Sequence, residues 1–210
     1  MSRVPPSPFP RLLLGVDPSI SATGYAAILA SPGSPLRLVA SGTVSTTPDK
    51  PLPLRAALLG RQLRDAVLSI VRGLPDLLDA ASAGWAVAGG LCAVEDFARN
   101  AKFRREEMGV AAGAVFIALC HRDAPGSPDG PVLVPPRTAK AAVCPNWYGW
   151  SKDLWFAAKM PPPFKRSMPS KPAVNAALWS RFGIRIDDEH AADAACVAIA
   201  AGLRAGFVGR

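Results

Sequence analysis

Three carboxylates sit where an ionised side chain needs a reason. Asp17 ends an apolar run over residues 11–16, Glu95 ends a second over 85–94, and Asp193 lies in an Ala-rich stretch over 190–203. Charged groups are seldom placed in such settings without a partner. Gathering several raises their mutual repulsion, and a bound cation is the natural counter-charge. Magnesium prefers oxygen ligands and keeps several waters, which leaves room for a phosphate. Two such ions about 4 Å apart can activate a water and stabilise the leaving oxygen of a phosphodiester. His190 stands three residues before Asp193, so in a helix both project from one face. Its imidazole could ligate a metal, orient a water or shuttle a proton.

Each residue also has a plainer reading. Asp17-Pro18-Ser19 could be a turn after a strand, and Glu95 could pair with Arg99 or Lys102. Asp193 could answer the dipole of a helix's first turn. His190 could be that helix's N-cap, and Asp188 or Glu189 could lend an oxygen. Four coincidences at element ends ask more of chance than one metal site does.

The elements that must position these residues follow from periodicity. Residues 11–16 read as a strand buried on both faces. Residues 23–29 and 36–45 read as two more, with Gly24 in or near a connection, so that an antiparallel meander opens the domain. Leu54, Leu58, Leu59, Leu63, Val67, Leu68 and Val71 follow a helical period. Residues 85–94 form a strand and 105–120 a helix, in which Gly109 and Gly113 permit close packing. Residues 131–135 form a short strand. Ser170 caps a helix from Lys171 to about Phe182, and a last helix runs over 190–203. The order is three strands, helix, strand, helix, strand, helix, helix: an α/β chain with one central sheet.

Composition narrows the partner. The 210 residues carry a net charge of +8, and half are hydrophobic. That suits a single domain over 11–210 after a disordered Pro-rich arm at 1–10, and favours a polyanion such as nucleic acid. Arg99, Lys102, Arg104 and Arg105 follow the second acid. Residues 137–171 add Arg137, Lys140, Lys152, Lys159, Lys165, Arg166 and Lys171 against Asp153 alone. Within that span, a basic, Pro-rich insertion at about 145–169 contains Trp147, Tyr148, Trp150, Trp155 and Phe156. Its cations suit phosphates, and its tryptophans suit packing on the domain or a partner. Cys92, Cys120 and Cys196 lie in apolar runs and read as small core residues, and no cysteine spacing suggests zinc. With no signal core and no membrane-length apolar run, a cytoplasmic protein is expected.

Four segments, in this order, resemble motifs of the RuvC-type Holliday junction resolvases. They are Leu13-Leu14-Gly15-Val16-Asp17-Pro18-Ser19 continuing to Ala22-Thr23-Gly24-Tyr25-Ala26-Ala27-Ile28, Val94-Glu95-Asp96-Phe97-Ala98-Arg99-Asn100-Ala101, Pro135-Pro136-Arg137-Thr138-Ala139-Lys140, and His190-Ala191-Ala192-Asp193-Ala194-Ala195. The resemblance implies an RNase H-like fold, a five-stranded mixed sheet flanked by helices. It implies Mg2+, with Mn2+ able to substitute, at two ions per site held by Asp17, Glu95, His190 and Asp193. Lys140 would approach the DNA backbone or scissile phosphate, and Phe97 would contact bases at the junction centre. The implied assembly is a homodimer that nicks four-way DNA in pairs. The chain departs from the pattern at Ser19, where Gly is usual, and at Phe97, which comes one position early. The insertion replaces a Gly-rich connection and its lysine, a role left to Lys171 or Lys152. The same acids would serve a nuclease of other branched DNA or RNA–DNA hybrids, and the fold without catalysis would serve as a binding module.

Overall fold

The computed structural model describes residues 10–74, 90–96, 105–120, 130–144 and 169–208. The arm expected at 1–10 and the insertion expected at 145–169 fall outside these residues, apart from one residue of each.

Ten elements follow in chain order: β1 (Arg11–Asp17), β2 (Ala22–Ala30), β3 (Arg37–Ser45), α1 (Leu52–Arg72), β4 (Leu91–Glu95), α2 (Arg105–Leu119), β5 (Val132–Val134), α3 (Pro136–Val143), α4 (Lys171–Phe182) and α5 (Glu189–Ala205). The strands form one sheet in the order β3-β2-β1-β4-β5. The first three make the expected antiparallel meander. β4 joins β1 in parallel and β5 joins β4 in parallel. Parallel neighbours need crossovers, which α1 and α2 supply.

β1 is the central strand, which is why its sequence reads as an apolar run rather than an alternation. Leu12, Leu14 and Val16 face one way, into a core with Leu59, Leu63 and Val67 of α1 and Ala111 and Val115 of α2. Leu13 faces the other way, into a core built on α5 with Val143 of α3 and Leu178 of α4. Along α1 the buried positions are Leu59, Leu63, Val67 and Val71, four apart. Leu54, which shares the apolar period, is half exposed in the first turn.

α5 has almost no polar side. From Ala191 to Gly202 every residue but Asp193 is buried. Its alanines let the helix axis come close to the sheet, and at Gly15 the approach is complete. A Cβ there would lie 2.0 Å from the Ala194 carbonyl oxygen and 2.6 Å from the Ala198 nitrogen.

Several local expectations change. Pro136–Val143 is helical, although eight residues led by one proline and preceded by another give no periodic signal. Pro at the first helical position has its φ already set. Gly24 lies inside β2, opposite Asp17, rather than in a connection. Among the described residues Gly109 and Gly113 do not pack against a neighbouring helix, since a Cβ on either would meet nothing within 4 Å; Gly60 of α1 makes the close contact, with Ala114. Cys120 is exposed just beyond α2, whereas Cys92 and Cys196 are core residues as expected. Among the described residues, no helix is long and apolar enough to cross a membrane.

Gly15→Ala should destabilise the fold by about 1–3 kcal/mol, because the added methyl must push α5 off β1. Urea unfolding measures this, and a variant as stable as the parent would show that the helix does not rest on the strand.

Candidate active site

The site is built on one row across the sheet. Val16 pairs with Val94, so the next residues, Asp17 and Glu95, end up side by side on adjacent parallel strands. In the same row Asp17 pairs with Gly24, Gly24 with Thr43, and Glu95 with Val134. Partners in register point to the same face. Here that face carries α5.

Beyond Asp17 the chain turns through Pro18 to Thr23. The Ser19 N–H donates to Thr23 Oγ1 at 3.0 Å, and the Thr23 hydroxyl donates to the Ser19 carbonyl at 2.7 Å. Thr23 is fully buried, so this reciprocal pair holds the turn that starts at Asp17.

α5 brings the third acid. Its N-cap is Asp188, not His190: Asp188 Oδ1 accepts from the Ala191 N–H at 2.8 Å. Asp193 is therefore the fifth helical residue, in the second turn rather than the first. The start of α5 rests on Gly24, where a Cβ would lie 2.1 Å from the His190 carbonyl oxygen. His190 Nδ1 stands 3.7 Å from Asp17 Oδ2, an ion-pair distance longer than a hydrogen bond. α3 follows β5 directly and delivers Lys140, whose Nζ lies 3.1 Å from Asp193 Oδ1.

Burial dominates the electrostatics. Asp17 and Glu95 are each 6% exposed. Burial pushes the Glu95 carboxyl up to about 9, the charges of Asp17 and Asp193 push the same way, and Lys140 opposes them. Burial also raises Asp17; the facing His190 works against this and Asp193 with it. His190 is raised mainly by Asp17. Burial works against the charge of Lys140, but the Asp193 carboxylate outweighs it and the ammonium too is raised. All four groups hold protons more tightly than they would in water. The site is short of positive charge, and its donor set of hard oxygens is of the kind that magnesium takes. As the side chains stand, no three His, Cys, Asp or Glu among the described residues converge on one point. Lys140 holds Asp193 and His190 faces Asp17 instead.

Asp17, Glu95, His190, Asp193 and Lys140 are thus brought together from four elements, β1, β4, α3 and α5. Lys171 lies at the rim, paired with Glu189 and close enough for its charge to act on His190. Asp188 and Glu189 lend no oxygen to the acids, being engaged by the helix cap and by Lys171. Arg137 is exposed one turn before Lys140. Arg105 opens α2, in the opposite layer. Phe97, Arg99, Lys102, Arg104 and Lys152 lie outside the described residues. Gly24 and Thr43 were not legible as site residues, because only the strand register places them beside Asp17.

No protein-family model matches the chain, and no curated protein matches its sequence. Solved structures do. Thermus thermophilus RuvC superposes with a TM-score of 0.59 at 20% identity, over 93% of this chain and 97% of that one. The structure described as T. thermophilus RuvC in complex with Holliday junction substrate gives 0.58 at 19% identity, with the same coverage. The fold is RuvC-like. The five-stranded mixed sheet with flanking helices expected from the motifs is therefore present.

The four shifts have one sign, and that sets a pH dependence. A group whose folded value is raised favours folding fully below its ordinary value and loses that contribution as pH rises through the folded one. For the carboxyls the loss begins near their ordinary 3.8 and 4.5, and for Glu95 it continues through about 9. In chelator, the melting temperature should fall between pH 5 and 9. Glu95→Gln should flatten that fall and melt higher than the parent at pH 9. An unchanged slope would exclude Glu95 as its source.

Proposed function

We propose that this protein is a magnesium-dependent DNA endonuclease that resolves four-way junctions by paired nicks. The observation that carries this reading is the placement of three carboxylates, Asp17, Glu95 and Asp193, beside His190 and Lys140 on a RuvC-like fold. T. thermophilus RuvC, which has that fold, has been solved with a Holliday junction substrate. The net charge of +8 suits a polyanionic substrate.

Asp17, Glu95 and Asp193 would hold the metal, at two ions per site, with His190 at its edge and Mn2+ able to substitute. Bound there, magnesium supplies Lewis acidity and charge neutralisation at the phosphate. The chain's own residues do the rest. His190 faces Asp17 through Nδ1 at 3.7 Å, which would leave Nε2 on the far side of the ring to orient the attacking water. Lys140 brings an ammonium into the cluster, where a phosphate oxygen can take the place of the Asp193 carboxylate as its partner. Arg137 and Lys171 flank that approach and would bind the DNA backbone.

Paired nicks need two copies, and α2 offers a face for the second. Gly109, Gly113 and Ile117 are exposed along it, Ile117 to 77%. Beside them a shallow groove is lined by Ala57, Gly60, Arg61 and Arg64 of α1. Glu106 lies in the first turn of α2, so two copies packed antiparallel would set this acid toward the other copy's arginines.

With magnesium, a panel of junction, fork, flap, RNA–DNA hybrid and linear substrates should show nicking of the four-way junction above all others. Asp17→Asn should reduce cutting to background while junction binding persists. Equal cutting of flaps or hybrids would make the protein a broader nuclease, and tight binding without cutting in any divalent metal would make it a binding module. Separately, Ile117→Glu should convert a dimer to a monomer in analytical ultracentrifugation and uncouple the two nicks. A parent protein that sediments as a monomer at micromolar concentration would remove the α2 face as an interface.

A further inference from the structure

We infer that Thr43 and Asp188 form a positioning device for His190. Asp188 Oδ1 accepts two hydrogen bonds of 2.8 Å, one from the Ala191 N–H and one from the Thr43 hydroxyl. The first is an ordinary helix cap and would exist without the second. The second joins α5 to β3, the edge strand of the sheet, across 145 residues of chain. Thr43 lies in the same row as Gly24 and Asp17.

Two constraints therefore meet on the turn that carries His190. From below, the His190 carbonyl rests on Gly24, which has no side chain to hold it away. From the side, the Thr43 hydroxyl stops the turn from sliding along the sheet. His190 is two residues past Asp188, and its ring reaches Asp17 at 3.7 Å. The Asp188 carboxylate also adds its charge to the ring's surroundings. Neither hydrogen bond to Asp188 Oδ1 comes from the acid cluster. Thr43 and Asp188 act on the cluster through the histidine, by where they hold it and by the Asp188 charge beside its ring.

Valine has the shape of threonine and at least its strand preference, so Thr43→Val removes the hydroxyl and leaves strand and cap in place. Thr43→Ser restores the hydroxyl. The catalytic readout rests on the nuclease reading above; the spectroscopic one does not. The chain has two histidines, His121 and His190, so in a His121→Gln background one imidazole remains for NMR. At a fixed pH in chelator, Thr43→Val should shift the His190 ring signals, and Thr43→Ser should return them. In junction nicking, Thr43→Val should lower kcat roughly 10-fold, the scale seen when outer partners of a site are lost, with KM unchanged. Parent-like ring signals together with parent-like kcat in Thr43→Val would overturn the inference. So would a joint fall of kcat, KM and melting temperature that serine does not repair, which is the mark of a plain structural role. If the parent cuts no branched DNA, the nuclease reading fails by itself and the ring signals still decide the positioning.

Discussion

Everything in this molecule hangs on the contact of α5 with the sheet. At Gly15 and Gly24 the helix backbone lies directly on β1 and β2, with no side chain between. That closeness accounts for the alanines that meet the strands, since a larger residue at Ala194 or Ala198 would lift the helix. It also sets the height of Asp193 and His190 over Asp17. A helix a few ångströms farther out would still bury an apolar face, but its acid and its histidine would no longer share a space with the strand ends.

The acids oppose the packing that holds them. Asp17 and Glu95 sit at the ends of central strands, in nearly the most buried part of the fold. An apolar pair there would be easier to bury. The fold tolerates the carboxylates through protons held tightly and two cations from other elements, Lys140 and His190. This is an arrangement in which local stability is given up for a concentrated negative potential. Such conflicts between local rule and global fold are where function is to be sought.

Much of this was legible from residues alone. The three acids announced themselves because each stood at the edge of an apolar run. The meander and α4 were readable because strand and helix periods are strong there and Ser170-Lys171-Pro172 is a clear helix start. Other features were not readable, for physical reasons. Gly24 and Thr43 belong to the site through strand pairing, and register is a property of two strands that neither sequence contains. α3 is too short for a period to show. Asp188 rather than His190 caps α5 because the helix starts at Glu189, two residues before the apolar pattern begins at Ala191. The spacing of Gly109 and Gly113 suggests close packing, but among the described residues a Cβ on either would meet nothing within 4 Å, because the helix turns another face to α1.

The row across the sheet has a temporal consequence. Its members come from residue 17, residue 24, residue 43, residue 95 and, above them, residues 140, 190 and 193. During synthesis the two strand acids emerge long before the helix that completes the cluster. Until α5 docks there is no third carboxylate, no facing imidazole and no partner for Lys140. The cluster is thus a late event of folding, dependent on contacts between distant parts of the chain, and such contacts form slowly. An unfinished or half-folded chain carries the individual groups without the charge concentration that they have together.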